Sequence, residues 1–343
     1  MFIFAFAMAT PQTRITSFFY GYFNKYPDAV VPLSPSGSAR ENFIIRSGEE
    51  KFVATYNENI KENHSFFYFC SLFETLELPA PKVFHIDTSE KLYLQSYVGD
   101  ETLSDVIAKE KSSPRVRNLV RVSLENLVML QQRTLGQVDY SKTFEYTSYD
   151  RLTITHDLYY FKFFFADILA VHYPKGLLLK ELEALSSQVS QQGPKVLMLR
   201  DFQARNIMVG PTNKPSFIDF QAAMEGPALY DVVSLLYQAK ANFSSEFRQE
   251  MLEYFIALYP KGVEQEQLRR SLEPLVLLRQ LQVLGAYGLR GLIERKPHFL
   301  ESIPQGIRNV ILTANQWTGM NKYPTLLGII NQLEAIYQKK YAR

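Results

Sequence analysis

The sequence predicts an α+β fold of two lobes: a small antiparallel sheet with one helix, then a larger, mainly helical lobe. Three observations predict it. Short β-like runs gather before residue 97 around one helical stretch, in the order β-β-α-β-β. From Thr102 onward most segments carry helical period. The exception, residues 195–220, places short apolar runs around a polar motif.

Each element follows from its own signals. Residues 15–26 read as an opening amphipathic helix, and 32–38 as a loop of proline, serine and glycine. Runs 42–46 and 51–56 read as strands joined by the turn Ser47-Gly48-Glu49-Glu50. Residues 60–76 repeat apolar side chains every three or four positions, which predicts a helix that Pro79-Ala80-Pro81 ends. Two further strands are expected at 82–86 and 91–96, then a hinge near 95–99. The expected division is an extension over 1–14, an N-lobe over 15–98 and a helical C-lobe over 99–343. The apolar stretch 163–171 reads as a core helix.

Composition narrows the function classes. With 46% hydrophobic and 21% charged residues, the 343-residue chain has globular composition and the length for two cores. A formal net charge of +2 gives no electrostatic case for nucleic acid or an anionic membrane. The single cysteine, Cys70, excludes an internal disulfide framework and fits a reducing compartment, the cytoplasm. The opening run Met-Phe-Ile-Phe-Ala-Phe-Ala-Met is too short to span a bilayer and has no basic flank. It reads as a disordered extension or as sequence ahead of a true start at Met8, with a vestigial anchor or signal as the alternative. Five histidines and one cysteine offer no zinc-type spacing.

The chemistry concentrates between Leu199 and Asp219. Leu-Arg-Asp-Phe-Gln-Ala-Arg-Asn-Ile-Met-Val puts Asp201 five residues before Asn206, and Phe-Ile-Asp-Phe puts Asp219 at the end of a short strand. That order is the layout of a phosphoryl-transfer site of the protein-kinase type, and it makes the expected fold a bilobal, protein-kinase-like one. Asp201 would orient the attacking hydroxyl and take its proton late. Asn206 and Asp219 would hold Mg2+ on the phosphates of ATP, because magnesium takes hard oxygen ligands. Asp and Asn also cap turns, and alone either residue would read that way; the joint spacing carries the functional reading. Ser36, Gly37 and Ser38 form the candidate phosphate cover, Gly37 for close backbone approach and the serines as donors.

With these parts placed, the chain resembles the aminoglycoside phosphotransferase and choline kinase family. Arg200-Asp-Phe-Gln-Ala-Arg-Asn206, Ile218-Asp-Phe-Gln221 and Gly226-Pro-Ala-Leu-Tyr-Asp231 look most like the bacterial anomeric sugar kinases, which phosphorylate N-acetylmuramate or N-acetylglucosamine at C1 during cell-wall recycling. The resemblance extends to Gly285-Ala-Tyr-Gly-Leu-Arg-Gly291 and Glu294-Arg-Lys-Pro-His-Phe299. It implies that the hinge residues Gln95, Ser96, Tyr97 and Val98 meet adenine, that Ala54, Met208 and Ile218 sandwich the ring, and that Asp231 braces the catalytic loop. About a hundred residues between hinge and Asp201, and Leu199 where protein kinases usually carry histidine, argue against a protein kinase.

One departure stands out. The third strand of kinase-like folds normally carries a lysine for the nucleotide phosphates, paired with a helix glutamate. Here Phe52-Val-Ala-Thr-Tyr56 holds none, and Lys51 comes too early. The sugar-kinase subgroup is similar in lacking it. Arg40 is the candidate substitute cation, and Glu62 falls where the helix glutamate would lie.

Acceptor contacts are expected from Gln203 and Arg205 in the loop, from Asp157 and Tyr160 with His156 before it, and from Arg295 and His298 with Arg290 and Lys296 in the late helices. A basic set suits a carboxylate-bearing sugar. Two other readings stay open: a kinase for an aminoglycoside or amino alcohol, which the absence of an acidic run over 240–301 disfavours, and a nucleotide-binding pseudokinase, which the complete Asp201, Asn206 and Asp219 set opposes.

Overall fold

The computed structural model describes residues 10–33 and 39–341. In chain order it begins with α1 (Pro11–Phe23), β1 (Ala29–Pro32), β2 (Glu41–Ser47), β3 (Glu50–Tyr56), α2 (Ile60–Thr75), β4 (Val83–Ile86), β5 (Leu92–Ser96) and β6 (Glu101–Thr102). Helices α3 (Leu103–Glu110), α4 (Pro114–Arg133), α5 (Arg151–Phe161) and α6 (Lys175–Ser190) follow. Four short strands, β7 (Lys195–Met198), β8 (Ile207–Val209), β9 (Pro215–Phe217) and β10 (Met224–Pro227), carry the central motif. The chain closes with α7 (Leu229–Leu236), α8 (Ser245–Ala257), α9 (Val263–Tyr287), α10 (Pro297–Leu300), α11 (Ile303–Gln316) and α12 (Pro324–Tyr341).

The chain forms two compact units. Among the described residues the first joins those up to 101 to 208–221; the second joins 102–207 to 222–341. The segment 208–221, expected in the helical lobe, therefore packs with the N-terminal unit. The reason is local chemistry. Phe220 stacks on Phe66 at 5.3 Å between ring centroids and meets Phe73 edge-on at 5.0 Å. The Ser65 hydroxyl donates to the Gln221 carbonyl at 2.7 Å, and the Phe217 N–H donates to the Pro79 carbonyl at 2.8 Å.

The first unit is built on a sheet in the order β1-β2-β3-β5-β4, antiparallel throughout. Strand β1 was not expected from the sequence, which read Pro32 as loop; it pairs Ala29–Pro32 with β2. The β2–β3 turn is as expected, with Gly48 at φ +63°, a conformation that costs glycine little. The sheet's two faces have different partners. Phe43, Ile45, Phe52, Ala54, Leu92 and Leu94 share one apolar cluster with Ile15 and Phe19 of α1. Helix α1 starts at Pro11, capped by the Thr10 hydroxyl, so it takes in residues expected in the N-terminal extension. Helix α2 opens on Asn59, whose side-chain oxygen accepts from the Glu62 N–H at 3.2 Å.

In the second unit, α9 is the central element, packing against α5, α7 and α11. Glycine sets how closely α5 and α9 approach. A Cβ on Gly285 would stand 2.7 Å from Tyr160 Cδ1 and 2.9 Å from the Phe161 nitrogen, and one on Gly288 would collide with the Phe164 carbonyl. The 163–171 stretch is not a separate core helix: α5 runs into a π-turn at Lys162–Ala166 and then ends in turns. That π-turn packs against a second at Gly288–Ile293. Among the described residues no helix is long and apolar enough to cross a membrane.

Candidate active site

The catalytic segment leaves β7 and turns sharply. Arg200 adopts φ +69°, a conformation that costs a non-glycine residue roughly 1 kcal/mol or more and must be held from outside. Asp231 holds it. Its carboxylate, fully buried in the first turn of α7, accepts from the Leu199 N–H at 2.7 Å and the Arg200 N–H at 3.0 Å. Burial pushes the Asp231 carboxyl up to about 7, against the pull of those two donors and of Arg279. These two bonds tie the Leu199–Arg200 turn to the first turn of α7.

Asp201 follows the strained turn and is 40% exposed at its side chain. Its Oδ1 accepts from Gln203 Nε2 at 3.1 Å and from Arg279 NH2 at 3.3 Å. The Asn206 Nδ2 donates to the Asp201 main-chain carbonyl at 2.9 Å, tying the two ends of the loop together. Gln203 thus touches Asp201, while Arg205 is exposed beside it in sequence.

Asp157 is a correction. It is 2% exposed, and its two oxygens are taken by Arg200 NH2 at 2.9 Å and the Tyr149 hydroxyl at 2.7 Å. A buried carboxylate with both oxygens occupied has no room for an acceptor contact; it anchors Arg200, which lies over the Tyr149 ring at 5.4 Å. Tyr160 is half-buried and packs on Phe164 at 4.9 Å. His298 and Arg295 are exposed. Burial, then the charges of Lys240, Lys296 and Arg205, hold the His298 imidazole below its ordinary range. Tyr287 lies within the field of Arg279 and Arg205. Glu301 acts on His298 in the opposite sense, and Lys296 pairs with Glu294 at 3.0 Å.

Asp219 belongs to the first unit and also adopts a left-handed conformation, φ +62°. Arg40 donates from NH2 to its Oδ1 in a very short contact, and Gln221 Nε2 donates to the same oxygen at 3.0 Å. Arg40 Nε stands 3.7 Å from Glu62 Oε1, an ionic contact without a hydrogen bond. Burial works against the Arg40 charge, but Asp219, with smaller help from Tyr93 and Glu62, outweighs it. The arginine ahead of β2 therefore stands beside both Asp219 and Glu62. Lys51 is engaged elsewhere, paired with Asp100.

Strand alternation explains the vacant lysine position and corrects another expectation. Ala54 is wholly buried in the α1-side cluster, so it does not face a nucleotide on the Arg40 side. The opposite face carries Val53 and Thr55, in register with Ile44 and Asn42 of β2 and with Gln95 and Tyr93 of β5. There Gln95 Nε2 donates to Thr55 Oγ1 at 3.0 Å, and Thr55 Oγ1 donates to Asn42 Oδ1 at 2.7 Å. Gln95 and Ser96 still belong to β5, paired with Val53 and Phe52. Only from Tyr97 onward does the chain leave the ladder. Gly99 follows, where a Cβ would stand 2.6 Å from the Val209 carbonyl oxygen. Met208 and Ile218 are half-buried; Met208 lies between the buried Ile207 and Val209, and Ile218 follows the buried Phe217. Ser36, Gly37 and Ser38 lie outside the described residues.

Sequence reasoning missed Arg279. A signal was present: it interrupts the apolar run Leu275-Val-Leu-Leu278, and every residue from 275 to 281 is buried. A charge inside such a run needs a partner.

The family model described as phosphotransferase enzyme family (APH) matches residues 31–275, most of the chain. The chain belongs to this family and is a phosphotransferase. Among curated proteins it is similar to the N-acetylmuramate/N-acetylglucosamine kinase of Neisseria meningitidis serogroup B, 25% identical over 236 residues covering 66% of this chain and 67% of that protein. The enzyme of the same name from Pseudomonas aeruginosa is 23% identical over 291 residues, 82% of each chain. Among solved structures, the apo form of a thermostable mutant of aminoglycoside phosphotransferase APH(4)-Ia has a TM-score of 0.59 at 17% identity, covering 86% of this chain and 98% of that one. Choline kinase LicA from Streptococcus pneumoniae has a TM-score of 0.59 at 11% identity, covering 87% and 97%. These likenesses establish the kinase-like fold.

Proposed function

We propose that this phosphotransferase moves the γ-phosphoryl group of ATP to a hydroxyl of an amino sugar, most specifically the anomeric hydroxyl of an N-acetylmuramate-type acceptor. The observation that carries the acceptor class is that Arg205, Lys240 and Lys296 all act on His298 in the unit that holds Asp201. Positive charge there favours a carboxylate-bearing sugar and disfavours a polycationic one. The two curated relatives, each named for N-acetylmuramate and N-acetylglucosamine, point to the same acceptors. Such an enzyme would act in the cytoplasm, on sugars returned from the cell wall.

In this reading Asp201 orients the acceptor hydroxyl and takes its proton as the new O–P bond forms. Asp231 keeps the loop in its strained turn. Arg40 supplies the cation for the nucleotide phosphates, with Glu62 as its counter-ion, and the segment after β5 meets adenine. By their chemistry Asp219, a carboxylate, and Asn206, an amide, are hard oxygen donors of the kind Mg2+ takes. Bound Mg2+ would neutralise phosphate charge.

The test is Mg2+-dependent ATP consumption with N-acetylmuramate, N-acetylglucosamine, glucose, kanamycin and choline, beside Asp201→Asn. Turnover with an N-acetylated sugar, absent in Asp201→Asn, is expected, with the lowest KM for N-acetylmuramate. Turnover with kanamycin or choline alone would overturn the acceptor assignment. Magnesium-dependent ATP binding without turnover on a wide acceptor panel would favour a nucleotide-binding module.

A further inference from the structure

We propose that Arg279 is a positioning residue for the transfer: with Gln203 it clamps Oδ1 of Asp201, which leaves Oδ2 to receive the acceptor hydroxyl. The inference rests on the kinase reading above and adds to it a residue on a distant helix.

Three observations lead there. First, Arg279 is 6% exposed inside the apolar part of α9, where an unpaired guanidinium would cost several kcal/mol. Second, each of its three nitrogens donates to a side chain. Nε donates to Ser234 Oγ at 2.9 Å, NH1 to Gln282, and NH2 to Asp201 Oδ1 at 3.3 Å, with the Tyr230 ring 5.8 Å away. Among the described residues its ion pair is with Asp201. An arginine that only joined α7 to α9 would be expected on a buried carboxylate. Asp231 is one turn from Ser234 and fully buried, yet the guanidinium reaches instead the partly exposed carboxylate of the catalytic loop. Third, both donors fall on the same oxygen. Gln203 Nε2 at 3.1 Å and Arg279 NH2 at 3.3 Å meet at Oδ1, and no described residue donates to Oδ2.

The two oxygens of Asp201 therefore have separate tasks. Oδ1 is held, which fixes the plane of the carboxylate. Oδ2 accepts the hydroxyl, whose proton it receives as the hydroxyl oxygen bonds phosphorus and the ADP oxygen leaves. At 3.3 Å the contact is long for a charge-assisted bond.

The experiment compares Arg279→Ala, Arg279→Lys, Ser234→Ala and Asp201→Asn in the full chain, each checked for folding by circular dichroism. Arg279→Ala should lower kcat about 100-fold, the scale of a misplaced reacting group, while the KM for ATP stays within about 3-fold. Added guanidinium at non-denaturing concentration should restore part of kcat. Ser234→Ala, which cuts the α7 tether and leaves Asp201 untouched, should lose much less. A folded Arg279→Ala with wild-type kcat would overturn the proposal. So would a loss that Ser234→Ala reproduces and guanidinium leaves unchanged. If Arg279→Ala does not fold, Arg279→Lys decides: reduced kcat at unchanged KM supports the clamp, and wild-type kcat removes it. Asp201-dependent turnover that ignores every Arg279 change removes this inference alone. Absence of Asp201-dependent turnover in the wild type removes the kinase reading and this inference together.

Discussion

Each unit neutralises its own motif aspartate with an arginine from far away in sequence, and the two pairs are built differently. In the first unit Arg40, ahead of β2, lies against Asp219 and within ionic reach of Glu62. One cation serves two carboxylates, and its Nε has no hydrogen-bond partner. In the second unit Arg279 serves a single carboxylate and is tethered by Ser234 and Gln282 as well. A shared, incompletely bonded cation can exchange partners when phosphates arrive. A tethered one can only hold a position. On the proposed reading, that difference assigns the Arg40 pair to ligand binding and the Arg279 pair to orientation of the reacting group.

The largest expected effect separates the two aspartates. Asp201→Asn should reduce kcat roughly 1,000-fold with little change in ATP affinity, the scale of a lost general base. Asp219→Ala should instead weaken Mg2+-dependent nucleotide binding, read by calorimetry with and without the metal. Matching effects of the two changes on binding and turnover would erase the distinction.

Next in size is a stability effect confined to the second unit. Gly288→Ala places a methyl group on the Phe164 carbonyl, backbone against backbone, and should destabilise by about 3 kcal/mol or more. Thermal denaturation measures it. A near-neutral substitution would mean that the α5–α9 packing is softer than described.

Arg40→Ala should raise the KM for ATP about 10-fold, close to 1.4 kcal/mol, with Arg40→Lys intermediate because a lysine cannot reproduce the guanidinium's geometry. Steady-state kinetics with varied ATP would read it. An Arg40 change that lowered kcat at constant KM would collapse the contrast with Arg279.

The smallest effect tests why 208–221 joins the first unit. Ser65→Ala leaves the Gln221 carbonyl without its donor and should cost about 1 kcal/mol. Denaturant unfolding would show it as a shifted midpoint.

The proposed catalytic loop could be read in the sequence because its residues are local. Asp201, Asn206 and Asp231 lie within 31 residues of one another, and turn, spacing and brace are written in that stretch. The β2–β3 hairpin was legible for the same reason, through Gly48. Asp157 was misread because an acidic residue before the loop looks alike whether it faces substrate or anchors a buried arginine; only burial separates the two. Ala54 was misread because the side of a strand that faces a ligand depends on which face α1 covers, and β1, short and bearing no turn signal, was not visible.

Sequence alone determined the fold class, the two aspartates and their asparagine, and the absence of a third-strand lysine, since all follow from residue type and spacing along the chain. Tertiary structure decided which cations meet those aspartates. Arg40 lies 179 residues from Asp219 and Arg279 lies 78 from Asp201. Pairings over such distances leave no local pattern. They arise only when burial removes water and a charge must find its counter-charge among whatever the fold has brought near.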